Sequence, residues 1–218
     1  MKTIFFDFDG TIADTSCGIV KGYQFAYSSL GLPVPDEEFL RKNIGPPLKE
    51  TLRLLTSQYD EDTIDKLAVE YRKYFSATGL FEMDFYEGIF DLLKAMKEKA
   101  KLGIVSSKPQ PFIIEILERN GLSELFTYIT GVSLEFNNKS KKVRLDEMIA
   151  DNNLDRSDCI MIGDRREDAE SASYARIRFI GVLYGFGSRT EMEGCDTAED
   201  VTSLRNLLEV FCDEESLH

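Results

Sequence analysis

The sequence predicts an α/β fold: a parallel sheet covered by helices on both faces, with an all-helical block inserted after the first strand. Three observations carry this expectation. Short apolar runs alternate with amphipathic helical patterns, the signature of strands buried on both faces. Residues 15–82 show helical periodicity and no strand pattern. The apolar runs end in Asp, Ser or Gly-Asp, and open parallel sheets bind ligands beyond the carboxyl ends of their strands.

The elements follow in order. Ile4, Phe5 and Phe6 form a β-favouring run that ends in Asp7-Phe8-Asp9-Gly10-Thr11, a strand entering a turn. From Cys17 to Leu30, the positions Ile19, Tyr23, Ala26, Tyr27 and Leu30 keep the 3.6-residue period. Gly31 to Pro35 breaks that pattern, and Asp36-Glu37-Glu38 opens a second helix with acidic residues suited to its dipole. Ile44-Gly45-Pro46-Pro47 is another break, with helical patterns following over 48–55 and 60–75. Beyond Phe85, helices are expected over 87–99, 112–119, 143–150, 167–174 and 203–211. Strands are expected over 102–105, 128–131, 159–162 and 177–183, and the expected strand over 102–105 ends at Ser106.

Composition narrows the function. The chain has 218 residues with 26 basic and 39 acidic side chains, a formal net charge of −13. Such a field disfavours nucleic acid and anionic membrane surfaces as partners. Four scattered cysteines without CxxC spacing argue against a disulfide framework or zinc site and for a reducing, cytoplasmic setting. No apolar run approaches the ~20 residues of a membrane span. The single histidine is His218, at the end of the sequence, so histidine-based catalysis is not expected.

The strand ends carry the chemistry. Asp7 and Asp9 are two apart, and i, i+2 side chains of an extended segment point the same way. Asp164 and Asp168 are four apart, which places them on one face if a helix opens there. Converging carboxylates are costly without a cation, and an all-oxygen donor set favours a hard ion such as Mg²⁺. Ser106 and Ser107 add hydroxyls, and Lys108, Lys139, Lys141 and Lys142 add ammonium groups. Carboxylate, Mg²⁺, hydroxyl and lysine together suit a phosphoryl group. Cys159 and Arg165 also have the Cys-x5-Arg spacing of cysteine phosphatases, but the residues between them read as a buried strand, where a thiol is inert.

On these residues the sequence resembles the haloacid dehalogenase superfamily of phosphohydrolases, in its phosphoglycolate-phosphatase-like branch with a helical cap. The DxDGT motif is similar to Asp7 to Thr11, the apolar strand ending in Ser to Leu102 through Ser106, and the GD motif with a second Asp to Gly163, Asp164 and Asp168. The motif lysine precedes a helix with apolar residues at +4, +7 and +8. Counting from Lys141 gives Leu145, Met148 and Ile149, which selects Lys141. The usual apolar +3 position holds Arg144 here, leaving Lys139 and Lys142 open. The resemblance implies a Rossmann-type three-layer core over 1–14 and 83–218 and a helical cap over 15–82.

The resemblance also implies a mechanism. Asp7 is the nucleophile and Asp9 the acid/base. Mg²⁺ is held by Asp7, the carbonyl of Asp9, Asp164 and Asp168. Ser106 and Lys141 bind phosphoryl oxygens, and Thr11 belongs to the same phosphate-binding set, orienting the loop or Asp9. Tyr23, Gln24, Arg41, Lys42, Lys49 and Arg53 are polar residues of the insert that are candidates to meet a substrate, with a solvated face the favoured reading for each. The expected substrate is a small phosphorylated metabolite, and a monomer is the default. Two alternatives stand beside phosphate-monoester hydrolysis: a phosphosugar-mutase-type phosphotransferase on the same fold, and a non-enzymatic phosphoacceptor module.

Overall fold

In the computed structural model, residues 1–55, 59–134 and 139–214 are described. His218 lies outside them. The chain runs β1 (Thr3–Phe6), β2 (Ala13–Asp14), α1 (Ser16–Ser29), α2 (Glu37–Lys42), α3 (Leu48–Leu55), α4 (Glu61–Ala77), β3 (Asp84–Phe85) and α5 (Ile89–Lys97). It continues through β4 (Lys101–Pro109), α6 (Gln110–Arg119), β5 (Phe126–Val132), α7 (Lys141–Asp151), β6 (Cys159–Gly163), α8 (Arg166–Ala175), β7 (Arg178–Val182), β8 (Asp196–Ala198) and α9 (Val201–Asp213). Two compact units result: Met1–Ala13 together with the chain from Phe85 on, and Asp14–Asp84.

The first unit is the α/β body. Its six strands lie in the order β5-β4-β1-β6-β7-β8, and every pairing is parallel. Parallel strands need crossovers, and α5 to α9 supply helices between and after them. Burial on both faces explains the apolar runs: Ile4, Phe5 and Phe6 on β1 and Ile160, Met161 and Ile162 on β6 have no exposed surface. One face packs Phe5, Val105 and Met161 against Leu145 and Ile149 of α7 and Ala172 and Ala175 of α8. That packing fixes α7 and α8, the helices that begin beside the strand ends.

Three local expectations are corrected. The central strand over 102–105 runs on to Pro109, with a register shift against β5 between Val105 and Pro109. There the Lys108 N–H donates to Ser106 Oγ at 3.2 Å. Strand β8 was not expected, because three residues carry no periodicity. Helix α8 begins at Arg166, one residue before its expected start, so the condition for Asp164 and Asp168 to share a helix face is not met.

The second unit is helical, apart from the short strands at its ends. Glycines let α1 approach its neighbours: a Cβ on Gly22 would come within 2.7 Å of the Tyr71 ring on α4, and one on Gly18 within 1.9 Å of the Gly79 carbonyl. Asp36 and Asp60 cap α2 and α4, accepting backbone N–H bonds from Glu38 and Phe39 and from Thr63. Among the insert candidates, Tyr23 is buried and Gln24 half-buried. The four cations pair within the unit: Arg41 with Glu37 and Ser16, Lys42 with Glu38, Lys49 with Asp65, and Arg53 with Glu61. Among the described residues, no helix is long and apolar enough to cross a membrane.

Candidate active site

The site lies in the first unit, where β1 and β6 end beside the last residues of β4. Since β1 pairs with β4 on one side and β6 on the other, the residues after Phe6, Val105 and Gly163 emerge side by side. The Asp7 N–H still donates to the Ile162 carbonyl at 2.8 Å, extending the ladder by one residue and fixing Asp7 beside β6. Gly10 then takes φ +81°, a left-handed conformation that glycine adopts without strain. The turn closes with the Gly10 N–H on the Ala13 carbonyl at 2.8 Å.

Carboxyl oxygens of Asp7, Asp164 and Asp168 lie within 4.8 Å of one another, and all three residues are buried. Each is held from a different direction. Asp7 Oδ1 accepts the Phe8 N–H at 2.7 Å, and Oδ2 meets Lys141 Nζ at 2.9 Å. Asp164 Oδ2 accepts the Phe186 N–H at 2.8 Å, and Oδ1 accepts the Thr11 hydroxyl at 3.3 Å. Asp168 turns back from the first turn of α8, accepting the Arg165 N–H at 3.0 Å with one oxygen and the Lys141 ammonium with the other. This fold-back, rather than a shared helix face, brings Asp168 to Asp164.

The electrostatics follow from burial. Desolvation pushes the Asp164 carboxyl well above the usual range; Asp168 and Asp7 push it further, while the Phe186 N–H and Lys141 oppose the shift. Asp168 is raised to about 6, chiefly by burial, with Lys141 pulling the other way. Burial also acts against the Lys141 ammonium, but the charges of Asp168 and Asp7 and hydrogen bonds to both outweigh it and raise its pKa. One ammonium thus shares two carboxylates, and the third has no cation within the trio.

That imbalance is the test for a metal. The donors are all oxygen and converge in a buried site, as a hard divalent ion requires. Glycine backbone packs directly against Asp164 and fixes its position: a Cβ on Gly10 would lie 2.2 Å from its Oδ2, one on Gly185 2.4 Å from its Cβ, and one on Gly187 1.7 Å from its carbonyl oxygen. A Cβ on Gly163 would meet the Asp168 carboxyl carbon at 2.2 Å. The residues present fit a divalent cation.

The other candidates are placed as follows. Asp9 stands outside the acidic trio, and its Oδ1 meets Lys108 Nζ at 2.9 Å. Lys108 is 4% exposed, and its ammonium also lies 5.7 Å from the Phe8 ring centroid. Ser106 is buried on the same strand, two residues before Lys108. Of the three candidate lysines, Lys141 reaches the carboxylates, Lys139 pairs with Glu147 at 2.6 Å, and Lys142 lies 5.6 Å from the Tyr174 ring centroid. Cys159 is fully buried, its Sγ donates to the Asp155 carbonyl at 3.2 Å, and burial pushes the thiol up to about 12, so it is no nucleophile.

Three partners have roles that sequence reasoning does not assign. Lys108 stands in the sequence as one ammonium among four and within Ser107-Lys108-Pro109, a stretch similar to the family branch, but without a role at Asp9. Tyr184 donates its hydroxyl to the Thr11 carbonyl at 3.1 Å, and the Phe186 N–H holds Asp164. Both come from the loop after β7, where Gly185 and Gly187 are the one local sign of a close backbone approach.

The family model described as haloacid dehalogenase-like hydrolase matches residues 4–182. A 5'-nucleotidase of Pseudomonas aeruginosa is 35% identical over 210 residues, covering 94% of this chain and 95% of that protein. A protein of Mycobacterium tuberculosis named tyrosine-protein kinase PtkA is 30% identical over 187 residues, 85% of this chain and 63% of its own length. The crystal structure of a predicted phosphatase from Clostridium acetobutylicum superposes with a TM-score of 0.89 at 34% identity, covering 96% of this chain and 98% of that one.

Proposed function

The chain belongs to the haloacid dehalogenase-like hydrolase family and is a hydrolase of its phosphatase type; from this premise we propose that it hydrolyses small phosphate monoesters through a phosphorylated Asp7, with Mg²⁺ as its metal. The observation that supports this reading most is the buried convergence of Asp7, Asp164 and Asp168, of which Asp7 and Asp168 share the Lys141 ammonium.

Asp7, Asp164 and Asp168, with the Asp9 carbonyl, are the residues that would hold Mg²⁺. When bound, the ion supplies positive charge that offsets repulsion between the carboxylates and a dianionic phosphoryl group. An Asp7 carboxylate oxygen attacks phosphorus, and the P–O bond to the substrate alcohol breaks. Asp9 gives its proton to the departing alkoxide, and Lys108 orients that carboxyl through its 2.9 Å contact. Asp9 then takes a proton from the water that attacks the aspartyl phosphate. Phosphate leaves, and Asp7 and the protonated Asp9 are restored. Ser106 and Lys141 bind the phosphoryl oxygens, and Thr11 holds the Asp164 carboxylate and the turn around Asp9 in place. The helical unit is the candidate for selecting the ester.

The likeness to a protein named a tyrosine kinase favours a second reading, in which a hydroxyl rather than water accepts the phosphoryl group from Asp7. One experiment separates the readings. Phosphate is released from p-nitrophenyl phosphate with Mg²⁺, release stops with EDTA, and Asp7→Asn abolishes it. Phosphoryl transfer to an added alcohol or tyrosine peptide without phosphate release would establish the second reading instead. Full activity of Asp7→Asn would exclude both.

A further inference from the structure

Arg144 is the residue that departs from the family pattern, since an apolar side chain usually stands three residues after the motif lysine. In this structure it is half-buried on α7. Its guanidinium is held by backbone carbonyls alone: Nε donates to Lys139 O at 3.2 Å, and Nη1 to Thr130 O at 3.3 Å. It has no carboxylate partner among the described residues, in a chain with 39 acidic side chains against 26 basic ones. Such a group remains charged at any pH the protein meets, and its burial is costly without an anion. The carboxylate whose charge acts on it is Asp7, the proposed nucleophile.

The sheet register locates it. Phe6 pairs with Ile104, so Asp7 stands level with Val105, and Val105 pairs with Thr130 on β5. Thr130 is therefore two strands from Asp7, about 10 Å across the sheet at about 4.8 Å per strand. A guanidinium bonded to the Thr130 carbonyl is well placed for the far end of a small ester whose phosphorus lies against Asp7. The charge balance points the same way. With Asp9 carrying the proton it donates, Asp7, Asp164 and Asp168 face Lys108 and Lys141, three negative groups against two positive. A divalent ion brings this to +1, and a dianionic phosphoryl group makes it −1. A further anion on the substrate would be repelled unless another cation received it.

We propose that Arg144 is a specificity-determining residue whose guanidinium binds a second anionic group, a carboxylate or a second phosphate, on the substrate of this site. The proposal rests on the phosphatase reading above, and it narrows the substrate class to small phosphate esters or anhydrides that carry another negative charge.

The test compares matched probes on the full chain with Mg²⁺. 2-Phosphoglycolate is paired with 2-hydroxyethyl phosphate for the carboxylate arm, and pyrophosphate with methyl phosphate for the phosphate arm. Each is measured as a substrate and as a competitive inhibitor of p-nitrophenyl phosphate hydrolysis. Arg144→Ala is expected to lower kcat/KM, or weaken inhibition, about tenfold or more for the charged member of at least one pair. The loss should lie mainly in KM, and the neutral member should change by less than about twofold. Arg144→Lys should recover part of the loss. Arg144→Met, which keeps the aliphatic stem, should match Arg144→Ala if charge is the cause. An equal fall for both members of each pair, or no change for any, overturns the role of Arg144. A wild-type chain that hydrolyses none of these esters, p-nitrophenyl phosphate included, overturns the phosphatase reading itself.

Discussion

Each carboxylate of the trio is held by different partners, so single substitutions should give different signatures. Asp9→Asn removes the proposed proton donor while leaving the trio intact. Its kcat should fall ~10²–10⁴-fold with an activated alcohol as leaving group changing the size of the loss. The fall should be smallest for p-nitrophenyl phosphate, whose phenolate needs little protonation, and comparing it with an alkyl phosphate checks this. Gly10→Ala tests the space beside Asp164. A Cβ there would press on Oδ2 at 2.2 Å, and the backbone is left-handed. The variant should lose at least about tenfold in Mg²⁺ affinity as well as stability, measured by calorimetry and thermal melting. At this scale the sequence is most informative where residues cluster in short motifs. Asp7 to Thr11 and Gly163 to Asp168 sit at strand ends because apolar runs precede them, while Ser106 follows its apolar run but stays within β4. The Thr11–Tyr184 and Asp164–Phe186 bonds were not legible, because they join residues 173 and 22 positions apart through a loop with no pattern of its own.

Helix α7 links core packing to the site. Leu145 and Ile149 bury one face against the sheet, and Lys141 at its first turn reaches Asp7 and Asp168. Leu145→Ala should therefore cost about 2–5 kcal/mol of stability through the cavity it leaves, measured by denaturant unfolding. It should also reduce activity by loosening the platform under Lys141. The pairs Lys139 with Glu147 and Lys142 with Tyr174 lie outside the carboxylate site, so neutralising Lys139 should change activity by less than about twofold. Helix periodicity and long apolar strands made most elements readable. The failures have local causes. Strands β2, β3 and β8 span two or three residues, too short for a period to register. The extension of β4 through Lys108 depends on the shifted register against β5, which a single strand does not reveal. The start of α8 after Arg165 places Asp168 where it can fold back on the Arg165 N–H, a capping contact that equal spacing does not distinguish from a shared face.

For the whole molecule, the acidic site is a stability liability that a bound cation is expected to relieve. Asp164 and Asp168 have raised pKa values in the folded chain, about 6 for Asp168, against roughly 3.9 when unfolded. Between these values the folded chain binds more protons than the unfolded one, so this contribution to stability falls as pH rises. The metal-free melting temperature should drop on the order of 5 °C from this term between pH 4 and pH 7. Mg²⁺ should restore it increasingly above pH 6, where the carboxylates are free to bind. The alternation of strands and helices made the α/β body legible at this scale, and the strand-free stretch made the helical unit legible. The pairings of the insert's cations with their own neighbours were not, because a surface charge pattern does not tell an internal ion pair from a substrate contact.

The most direct test is a calorimetric titration of Mg²⁺ into the chelator-stripped full chain at pH 7, beside the Asp164→Asn variant. A single saturable site in the wild type, lost or weakened at least about tenfold in the variant, is the predicted result. No binding to the folded wild-type chain, or equal binding to both, would contradict the account.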